Sequence, residues 1–208
     1  MNILIIYAHP QNPSSFNQQI CATVKTSAGQ AGHAIEVRDL YALEFNPVLA
    51  AAELSAKQPS ADVLTEQEFI HWADMLVFIY PLWWGGMPAI MHGYLDRIFS
   101  YGFAYTSGTN GSVGLLGNKR IVLVNTIGAR LEHYQQNGMI NALETIANPG
   151  IFNFCGTSVE KFFHFTAIHS ATPIERQQML VELHEYILNC HQYDANQESI
   201  NDCQSIAN

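Results

Sequence analysis

The segment that decides the fold reads YPLWWGGMPAIMHGYLDRIFSYGFAY, from Tyr80 to Tyr105. It follows an apolar strand over residues 75–80, and that strand leaves the sheet ladder at Pro81 because proline has no N–H to donate. A helix is predicted from Pro88, since apolar residues recur at helical spacing along one face. They are Ile90, Met91, Leu95, Ile98 and Phe99. A strand, an aromatic and glycine-rich loop and a helix in this order form the ligand crevice of an open α/β sheet, at the carboxyl ends of its strands.

The loop between strand and helix contains Trp83, Trp84, Gly85 and Gly86. Glycines allow the backbone to approach a ligand closely, and two aromatic side chains can wall a flat slot. A Trp-Trp pair also occurs in ordinary cores and interfaces, and Gly-Gly also occurs in plain turns. Interpreted as a binding site, this loop predicts a flat polycyclic cofactor as the ligand.

The rest of the chain alternates between strand and helix patterns. Strands are predicted at residues 2–8, 34–37, 75–80, 120–124 and 161–168. Helices are predicted from Ser14 or Ser15 to beyond Gln30 and at 65–72, 88–99, 131–147 and 173–190, the fourth of them interrupted at Gly138. This alternation indicates a doubly wound α/β fold with a five-stranded parallel sheet, and the flavodoxin-like order 2-1-3-4-5 is its simplest topology. Residues 40–60 are predicted to be largely irregular, and residues 102–117 to form a glycine- and serine-rich surface loop.

The domain boundaries follow from the same pattern. Residues 1–190 are predicted to form one domain, without a repeat or linker to divide it. Residues 191–208 are polar and are predicted to form a mobile or exposed C-terminal tail. The helix before this tail is therefore expected to end near Cys190.

Composition excludes several classes of function. Eighteen acidic residues against nine basic ones give a net charge of −9, which argues against nucleic acid or anionic membrane as a partner. The low charged fraction, 13%, favours an oligomer. No apolar run approaches the length of a membrane span, so neither membrane insertion nor a signal peptide is predicted. The four cysteines are scattered without a C-x-x-C pair, which is typical of a reduced, cytoplasmic protein.

A second candidate site follows the first strand, in the segment from His9 to Asn17. Ser15, Phe16 and Asn17 would present backbone N–H groups at a helix N-terminus, where free donors and the helix dipole favour phosphate. The Ser15 hydroxyl, the Asn17 amide and His9 would add side-chain donors. Ser15 could equally be a simple N-cap. Because both loops follow strands of one parallel sheet, they would share an edge, which is the arrangement that a flavin nucleotide requires.

Weaker candidates lie after the fourth predicted strand. The backbone from Asn125 to Gly128 could bond the heteroatom edge of a flavin ring, and Tyr134 could donate to a bound substrate. Neither the G-x-G-x-x-G nor the P-loop pattern occurs. The nine histidines form no convincing zinc motif, and no G-x-S-x-G elbow is present, so neither a metal site nor a serine hydrolase is predicted.

At this point the chain resembles the flavodoxin-like NAD(P)H:quinone oxidoreductases, including the modulator-of-drug-activity type, over residues 3–187. The motifs that carry the resemblance are Ala8-His9-Pro10 with Ser15-Phe16-Asn17, Pro81-Leu82-x-Trp84-x-x-x-Pro88-Ala89-Ile90, Asp96-Arg97-Ile98-Phe99, Gly102-Phe103-Ala104-Tyr105, Thr126-x-Gly128 and Phe154-Cys155-Gly156. The resemblance implies a homodimer that holds FAD, or FMN in some branches. It also implies ping-pong hydride transfer, in which NAD(P)H is the co-substrate and a quinone is the acceptor.

The resemblance also assigns roles to residues. The phosphates would be held by His9, Ser15, Phe16 and Asn17. The isoalloxazine would be framed by Pro81, Leu82, Trp83, Trp84 and Gly85 on one side and by Asn125, Thr126, Ile127 and Gly128 on the other.

The sequence departs from the family pattern at four positions. Ile127 replaces the first glycine of a Thr-Gly-Gly loop, and His92 replaces a usual lysine. Tyr134 aligns with a tyrosine that assists charge transfer only after a one-residue shift, and the histidine that shares this task is absent. The catalytic role is therefore predicted to fall on the Gly128 backbone, helped by Tyr134.

Three alternative functions remain at this level. One is an FMN-dependent azo- or nitro-reductase of the same fold, and another is a regulatory subunit that docks on a potassium-efflux transporter. A single-electron flavodoxin is disfavoured, because Trp83 and Trp84 suggest a more enclosed pocket.

Overall fold

The computed structural model describes residues 1–10, 15–55 and 59–205, with residues 191–205 described by their backbone. The strands are β1 (Asn2–Tyr7), β2 (Ala34–Asp39), β3 (Met75–Pro81), β4 (Tyr105–Gly108), β5 (Gly111–Gly114), β6 (Arg120–Thr126) and β7 (Val159–Phe165). The helices are α1 (Phe16–Gln30), α2 (Ala51–Ser55), α3 (Ala61–Trp72), α4 (Ala89–Ile98), α5 (Leu131–Gln136), α6 (Met139–Ala147) and α7 (Pro173–Ser205). A single π-helical turn, Asn148–Phe152, follows α6.

The central sheet has the order β2-β1-β3-β6-β7, and every neighbouring pair is parallel. Counted among the sheet strands alone, this is the predicted order 2-1-3-4-5, so the fold prediction is confirmed. Strand β3 is buried at every position, as expected for a continuous apolar strand that is covered by helices on both faces.

The two faces of the sheet carry separate apolar layers. One layer includes Leu4, Phe78 and Phe152 and packs beneath α3 and α4. The other packs beneath α1 and α7 and includes Ile5 and Leu183. Alternate side chains of β1 pack into one apolar layer or the other, since successive residues of a strand point to opposite faces of the sheet.

The prediction of a surface loop at residues 102–117 is wrong in its middle part, because β4 and β5 pair there as an antiparallel hairpin. A Cβ added to Gly114 would lie 2.0 Å from the backbone nitrogen of Gly156. The backbone of Leu116 also donates to the carbonyl of Cys155 at 2.8 Å. Close packing against a segment distant in sequence, rather than local β propensity, accounts for this hairpin.

The predicted end of the last helix near Cys190 is also wrong, because α7 continues to Ser205. The polar stretch contains neither glycine nor proline, so its backbone meets no strong helix breaker. A polar composition disfavours packing of this segment against the core, but it does not prevent the backbone from forming a helix. The division into a domain (1–190) and an exposed tail (191–208) stays a prediction.

Other boundaries differ by a few residues. The predicted interruption of the helix at 131–147 is confirmed, because Gly138 separates α5 from α6 with a φ of 75° in the left-handed region, whereas α1 ends at Gln30 instead of continuing beyond it. Helix α3 begins at Ala61 rather than at residue 65, and β7 spans 159–165 rather than 161–168. Among the described helices, none combines the length and the apolar character that crossing a membrane requires.

Candidate functional site

Three loops meet at the carboxyl edge of the sheet, because β1, β3 and β6 are neighbouring parallel strands. His9 follows β1, the aromatic loop follows β3, and Ile127 and Gly128 follow β6. The predicted grouping of the phosphate loop, the aromatic loop and the segment 125–128 at one edge therefore agrees with the strand topology. Residues 11–14 of the phosphate loop lie outside the described part of the chain.

The aromatic loop is a tight turn closed by two backbone hydrogen bonds. The N–H groups of Trp83 and Gly86 each donate to the carbonyl of the other residue at 3.0 Å. The two central residues, Trp84 and Gly85, have φ values of 52° and 73°. A large side chain with positive φ is strained and is found mainly at functional sites. The strain presents the Trp84 side chain fully to solvent, while Trp83 is 42% exposed.

The aromatic loop is anchored to the end of β6. Pro81 and Thr126 are partners in the β3–β6 register, and the backbone of Leu82 donates to the Thr126 carbonyl at 2.8 Å. Met139 of α6 lies against the other side of the loop, since a Cβ on Gly85 would be 3.8 Å from its terminal carbon. The Met139 thioether thus lies in van der Waals range of this turn, and the positive φ of Gly85 is what favours glycine at this position.

At the phosphate end, Ser15 is the N-cap of α1, and its hydroxyl accepts a hydrogen bond from the Gln18 backbone at 3.1 Å. The Tyr7 hydroxyl hydrogen-bonds Ser15, but burial dominates and raises the pKa of Tyr7 to about 12. Phe16 is the first residue of α1 and is buried. The helix N-terminus is therefore built as predicted, whereas its role in binding phosphate stays a prediction.

One buried hydrogen bond joins the phosphate loop to the β6 loop. The Asn17 amide nitrogen donates to the Thr126 hydroxyl at 2.8 Å, and both residues are almost completely buried. The sequence prediction offers this amide to the phosphate, but at least one of its two hydrogens is used within the protein. Asn17 is better described as a link between the two halves of the site.

Sequence reasoning missed two basic residues that follow β7. Arg176 lies in the first turn of α7, and its guanidinium carbon is 5.8 Å from the centroid of the Phe16 ring. His169 lies beside Gly128, since a Cβ there would be 3.2 Å from its ring. Because β7 also ends at the carboxyl edge, the rule that located the other loops could have included these residues.

Two buried nitrogens in this region make no hydrogen bond with the described residues: Nδ1 of His9 and Nε of Arg176. Buried polar atoms are almost always paired in native proteins, so unpaired nitrogens at this edge of the sheet favour a ligand with acceptor atoms, with Nε of Arg176 as a permanent donor and Nδ1 of His9 as a donor when it is protonated. A phosphate group has this chemistry.

The predicted catalytic helper, Tyr134, lies on α5, which buries none of its residues. The segment from Leu131 to Ala147 is thus a superficial layer above the β6 loop, and α6 buries only Ala147. The participation of Tyr134 and Gly128 in catalysis stays a prediction. Across the described residues, no three or more histidine, cysteine or acidic side chains are grouped as metal ligands.

Comparison with known proteins agrees with this geometry. The profile of the family described as having a flavodoxin-like fold matches residues 1–187. The chain belongs to this family. It is 39% identical to a Haemophilus influenzae protein named "Uncharacterized NAD(P)H oxidoreductase", over 86% of this chain and 91% of that one. It is 31% identical to the "Ribosyldihydronicotinamide dehydrogenase [quinone]" of Pongo abelii, over 76% of this chain and 78% of that one.

A solved structure shows the same likeness in three dimensions. A "Putative quinone reductase" from Klebsiella pneumoniae superposes with a TM-score of 0.84 at 30% identity, over 91% of this chain and 85% of that one. The resemblance to the NAD(P)H:quinone oxidoreductases that the sequence motifs indicate is confirmed for this flavodoxin-like protein.

Proposed function

We propose that this flavodoxin-like protein is a flavin-dependent NAD(P)H:quinone oxidoreductase. The observation that carries the proposal is the junction of the two predicted loops, where Asn17 of the phosphate end donates to Thr126 beside the aromatic loop. A flavin nucleotide needs an anion site and a flat slot at a fixed separation, and this buried bond fixes them relative to each other. The names of the relatives from H. influenzae, P. abelii and K. pneumoniae support the same activity.

The residues present fit such a cofactor. The N-terminus of α1, the unpaired His9 nitrogen and the Arg176 guanidinium provide donors and positive charge for phosphate. The turn with Trp84 at its tip provides aromatic surface beside a backbone that glycine keeps open. A bound flavin would supply hydride transfer, taken from NAD(P)H in one half-reaction and passed to a quinone in the other.

Each group of residues then has a distinct task. The α1 N-terminus would hold the phosphate, the aromatic loop would limit the slot and exclude water, and the backbone N–H of Gly128 would serve the ring edge. A fixed donor at that position stabilises the negative charge that develops there during hydride transfer. Tyr134 is proposed to add a second donor, because no histidine of this chain aligns with the family's charge-transfer histidine.

The finer identity of the enzyme is part of the same proposal. We infer FAD as the cofactor, with FMN as the alternative that an azo- or nitro-reductase of this fold would use. A cytoplasmic location is inferred from the scattered cysteines, three of which (Cys21, Cys155 and Cys190) are free and buried. Regulation of a potassium-efflux transporter stays an alternative that co-purification with such a transporter would favour.

The first prediction tests flavin binding directly. We expect FAD or FMN to bind at one flavin per chain, with a shifted absorbance spectrum and a raised melting temperature, because a ligand that binds only the folded state stabilises it by mass action. Mass spectrometry of the flavin released on denaturation would identify it. Absence of both the spectral shift and the thermal stabilisation would contradict the proposed function.

The second prediction concerns Tyr134. We expect Tyr134→Phe to slow flavin reduction by NADPH about tenfold, roughly 1.4 kcal/mol, because one donor to developing charge is lost. Stopped-flow absorbance measures this rate, and His133→Gln is the matched control on the adjacent exposed position of α5. An unchanged rate in Tyr134→Phe would remove this residue from the catalytic assignment.

The third prediction is a homodimer. Tyr101 and Phe154 are 49% and 44% exposed, and both pack against Tyr105, with ring centroids 5.8 and 4.7 Å away. Clustered exposed aromatics are typical of interfaces. Light scattering at micromolar concentration should give twice the chain mass of 23.2 kDa. A mass of one chain would contradict the prediction, and Phe154→Asp should shift the protein toward monomer.

A further inference from the structure

A row of polar side chains crosses the next-to-last rung of the sheet, directly below the predicted flavin loops. Tyr80 on β3 is paired in register with Asn125 on β6, and Asn125 is paired with His164 on β7. Their side chains point to the same face, as register partners in neighbouring strands do. Tyr80 and Asn125 are nearly inaccessible, and the side chain of His164 is 10% exposed.

Hydrogen bonds join the three side chains. Nδ1 of His164 lies 3.0 Å from Oδ1 of Asn125, so the imidazole donates its Nδ1–H to the amide oxygen. The Asn125 side chain also hydrogen-bonds Tyr80, and burial raises the pKa of that phenol to about 12. The hydrogen bond of Asn125 acts to lower the pKa of Tyr80, which is the effect of a donor, so the amide nitrogen is the group that bonds the phenol oxygen. The row therefore has one defined direction.

A fourth residue attaches α6 to the row. Nε2 of His164 lies 3.4 Å from Oε1 of Glu144, which is within ion-pair distance when the imidazole is protonated. The orientation of the two groups does not satisfy the angles of a hydrogen bond. Burial lowers the pKa of His164, and Glu144 offsets part of this effect. Of the described titratable groups around the imidazole, Glu144 on α6 is the anion, while His92 on α4 and Tyr80 on β3 line the same small cavity.

The surroundings of the row are mainly apolar. The cavity of about 30 Å³ is otherwise lined by side chains such as Leu123, Leu143 and Phe162. Polar groups in such surroundings reduce stability unless they are bonded to one another, and apolar residues would fill the space at lower cost. A bonded polar row at this place therefore suggests a function other than stability.

The row is placed to act on both loops. Tyr80 immediately precedes Pro81, and Asn125 immediately precedes Thr126, so each loop starts from a residue whose side chain is held by the row. Glu144 belongs to the helix whose first residue, Met139, lies against Gly85. A change at His164 is thus transmitted to three elements that surround the predicted slot.

We propose that His164 is a positioning residue for the oxidoreductase reaction, which holds Asn125 and Tyr80 beneath the flavin loops and attaches α6 through Glu144. The inference rests on the proposed function. It assigns His164 no contact with the flavin or the substrate.

The test compares two substitutions at His164. His164→Leu removes both contacts, whereas His164→Asn places an amide nitrogen near the Nδ1 position and retains a donor to Asn125. We expect His164→Leu to weaken flavin binding and slow flavin reduction, each about tenfold, on the scale of one buried hydrogen bond. His164→Asn should recover most of both. Glu132→Gln on exposed α5 removes the same charge as the Glu144→Gln variant used below, and it should match the unmodified protein.

The pH dependence is the second readout. In the unmodified protein, the rate of flavin reduction should change at a pH below the ordinary histidine range, because burial resists protonation of His164. Glu144→Gln should move this change to still lower pH, since it removes the anion that favours the charged ring. His164→Asn should abolish it. A purely structural role would alter the melting temperature without these shifts.

Several results would overturn the proposal. One is a His164→Leu variant with unchanged flavin affinity and rate, and another is a loss that His164→Asn does not recover. Failure of the proposed function is recognised separately, because the unmodified protein would then bind no flavin. NMR titration of His164 in the flavin-free protein still tests the row, since Glu144→Gln must lower the pKa of His164, and an unchanged value would exclude the coupling.

Discussion

We expect Gly93→Ala to lower the free energy of unfolding by about 3 kcal/mol, the upper end of the usual cost of an overpacked core. Gly93 is a buried residue in the middle of α4. A Cβ at this position would lie 2.2 Å from the carbonyl oxygen of Pro47 and 2.6 Å from its Cα. Because backbone atoms of the neighbouring segment stand in the way, no side-chain rotation can relieve the contact.

Urea unfolding measures this effect, and the chain offers a control of opposite sign. Gly29 lies in α1 with no heavy atom within 4 Å of an added Cβ. Gly29→Ala should therefore stabilise the protein by up to about 1 kcal/mol, as alanine does in a helix. Similar small effects of the two substitutions would show that the 45–50 segment does not pack on α4 as described. The result bears on the site, because α4 begins directly after the aromatic loop.

The second large effect is expected at Arg97, also on α4. Its side chain is 5% exposed, and it donates to the Asn46 carbonyl at 2.8 Å, to Glu53 at 2.7 Å and to Asp62 at 2.7 Å. Arg97→Met should cost about 3–5 kcal/mol, because two carboxylates and a carbonyl lose their shared partner. Lys25→Met is the control, since it removes the same charge from an exposed position of α1. Equal stability of the two variants in urea would contradict the prediction.

The same cluster predicts a dependence of stability on pH. Hydrogen bonds from Arg97 lower the pKa of Glu53 to about 2 and that of Asp62 to about 2. A carboxyl group whose pKa is lower in the folded state stabilises it above its unfolded pKa, and this contribution is lost as pH falls toward the folded value. The melting temperature should thus fall between about pH 5 and pH 2. Asp62 contributes less, since its side chain is half-exposed.

Arg97→Met should make this part of the pH profile shallower, because the carboxyl groups then titrate close to their unfolded values. Calorimetry across the range gives the comparison, with Lys25→Met again as the control. An unchanged slope in Arg97→Met would assign the acid sensitivity to other groups.

Strand order and the grouping of the candidate loops at one sheet edge were accessible from the sequence for a simple reason. The runs at residues 3–7, 75–80 and 121–124 are apolar throughout, as strands covered on both faces must be, and residues 3–7 and 121–124 are rich in β-branched side chains. Once these are parallel strands, their following loops must share one edge of the sheet, which brings the Ser15 and Trp84 loops together. The local sequence pattern was sufficient here, because a strand buried on both faces is recognisable as a continuous apolar run.

Features that depend on distant partners were not accessible. The β4–β5 hairpin rests on close packing of Gly114 against Gly156, and a glycine-rich stretch alone is typical of a loop. Arg176 reaches Phe16 across the sheet edge, a contact between opposite ends of the chain. Polarity likewise suggested a tail where α7 continues to Ser205, because composition reports solvent preference rather than backbone conformation.

The sequence by itself determined which strands are central and which loops share one edge of the sheet, because these follow from apolar runs and from the rules of parallel sheets. Only the tertiary structure decided how side chains divide their hydrogen bonds. Asn17 donates to Thr126, and Asn125 accepts from His164. The physical reason is that a hydrogen bond needs two groups within about 3 Å, and register and packing alone place residues so distant in sequence at that separation.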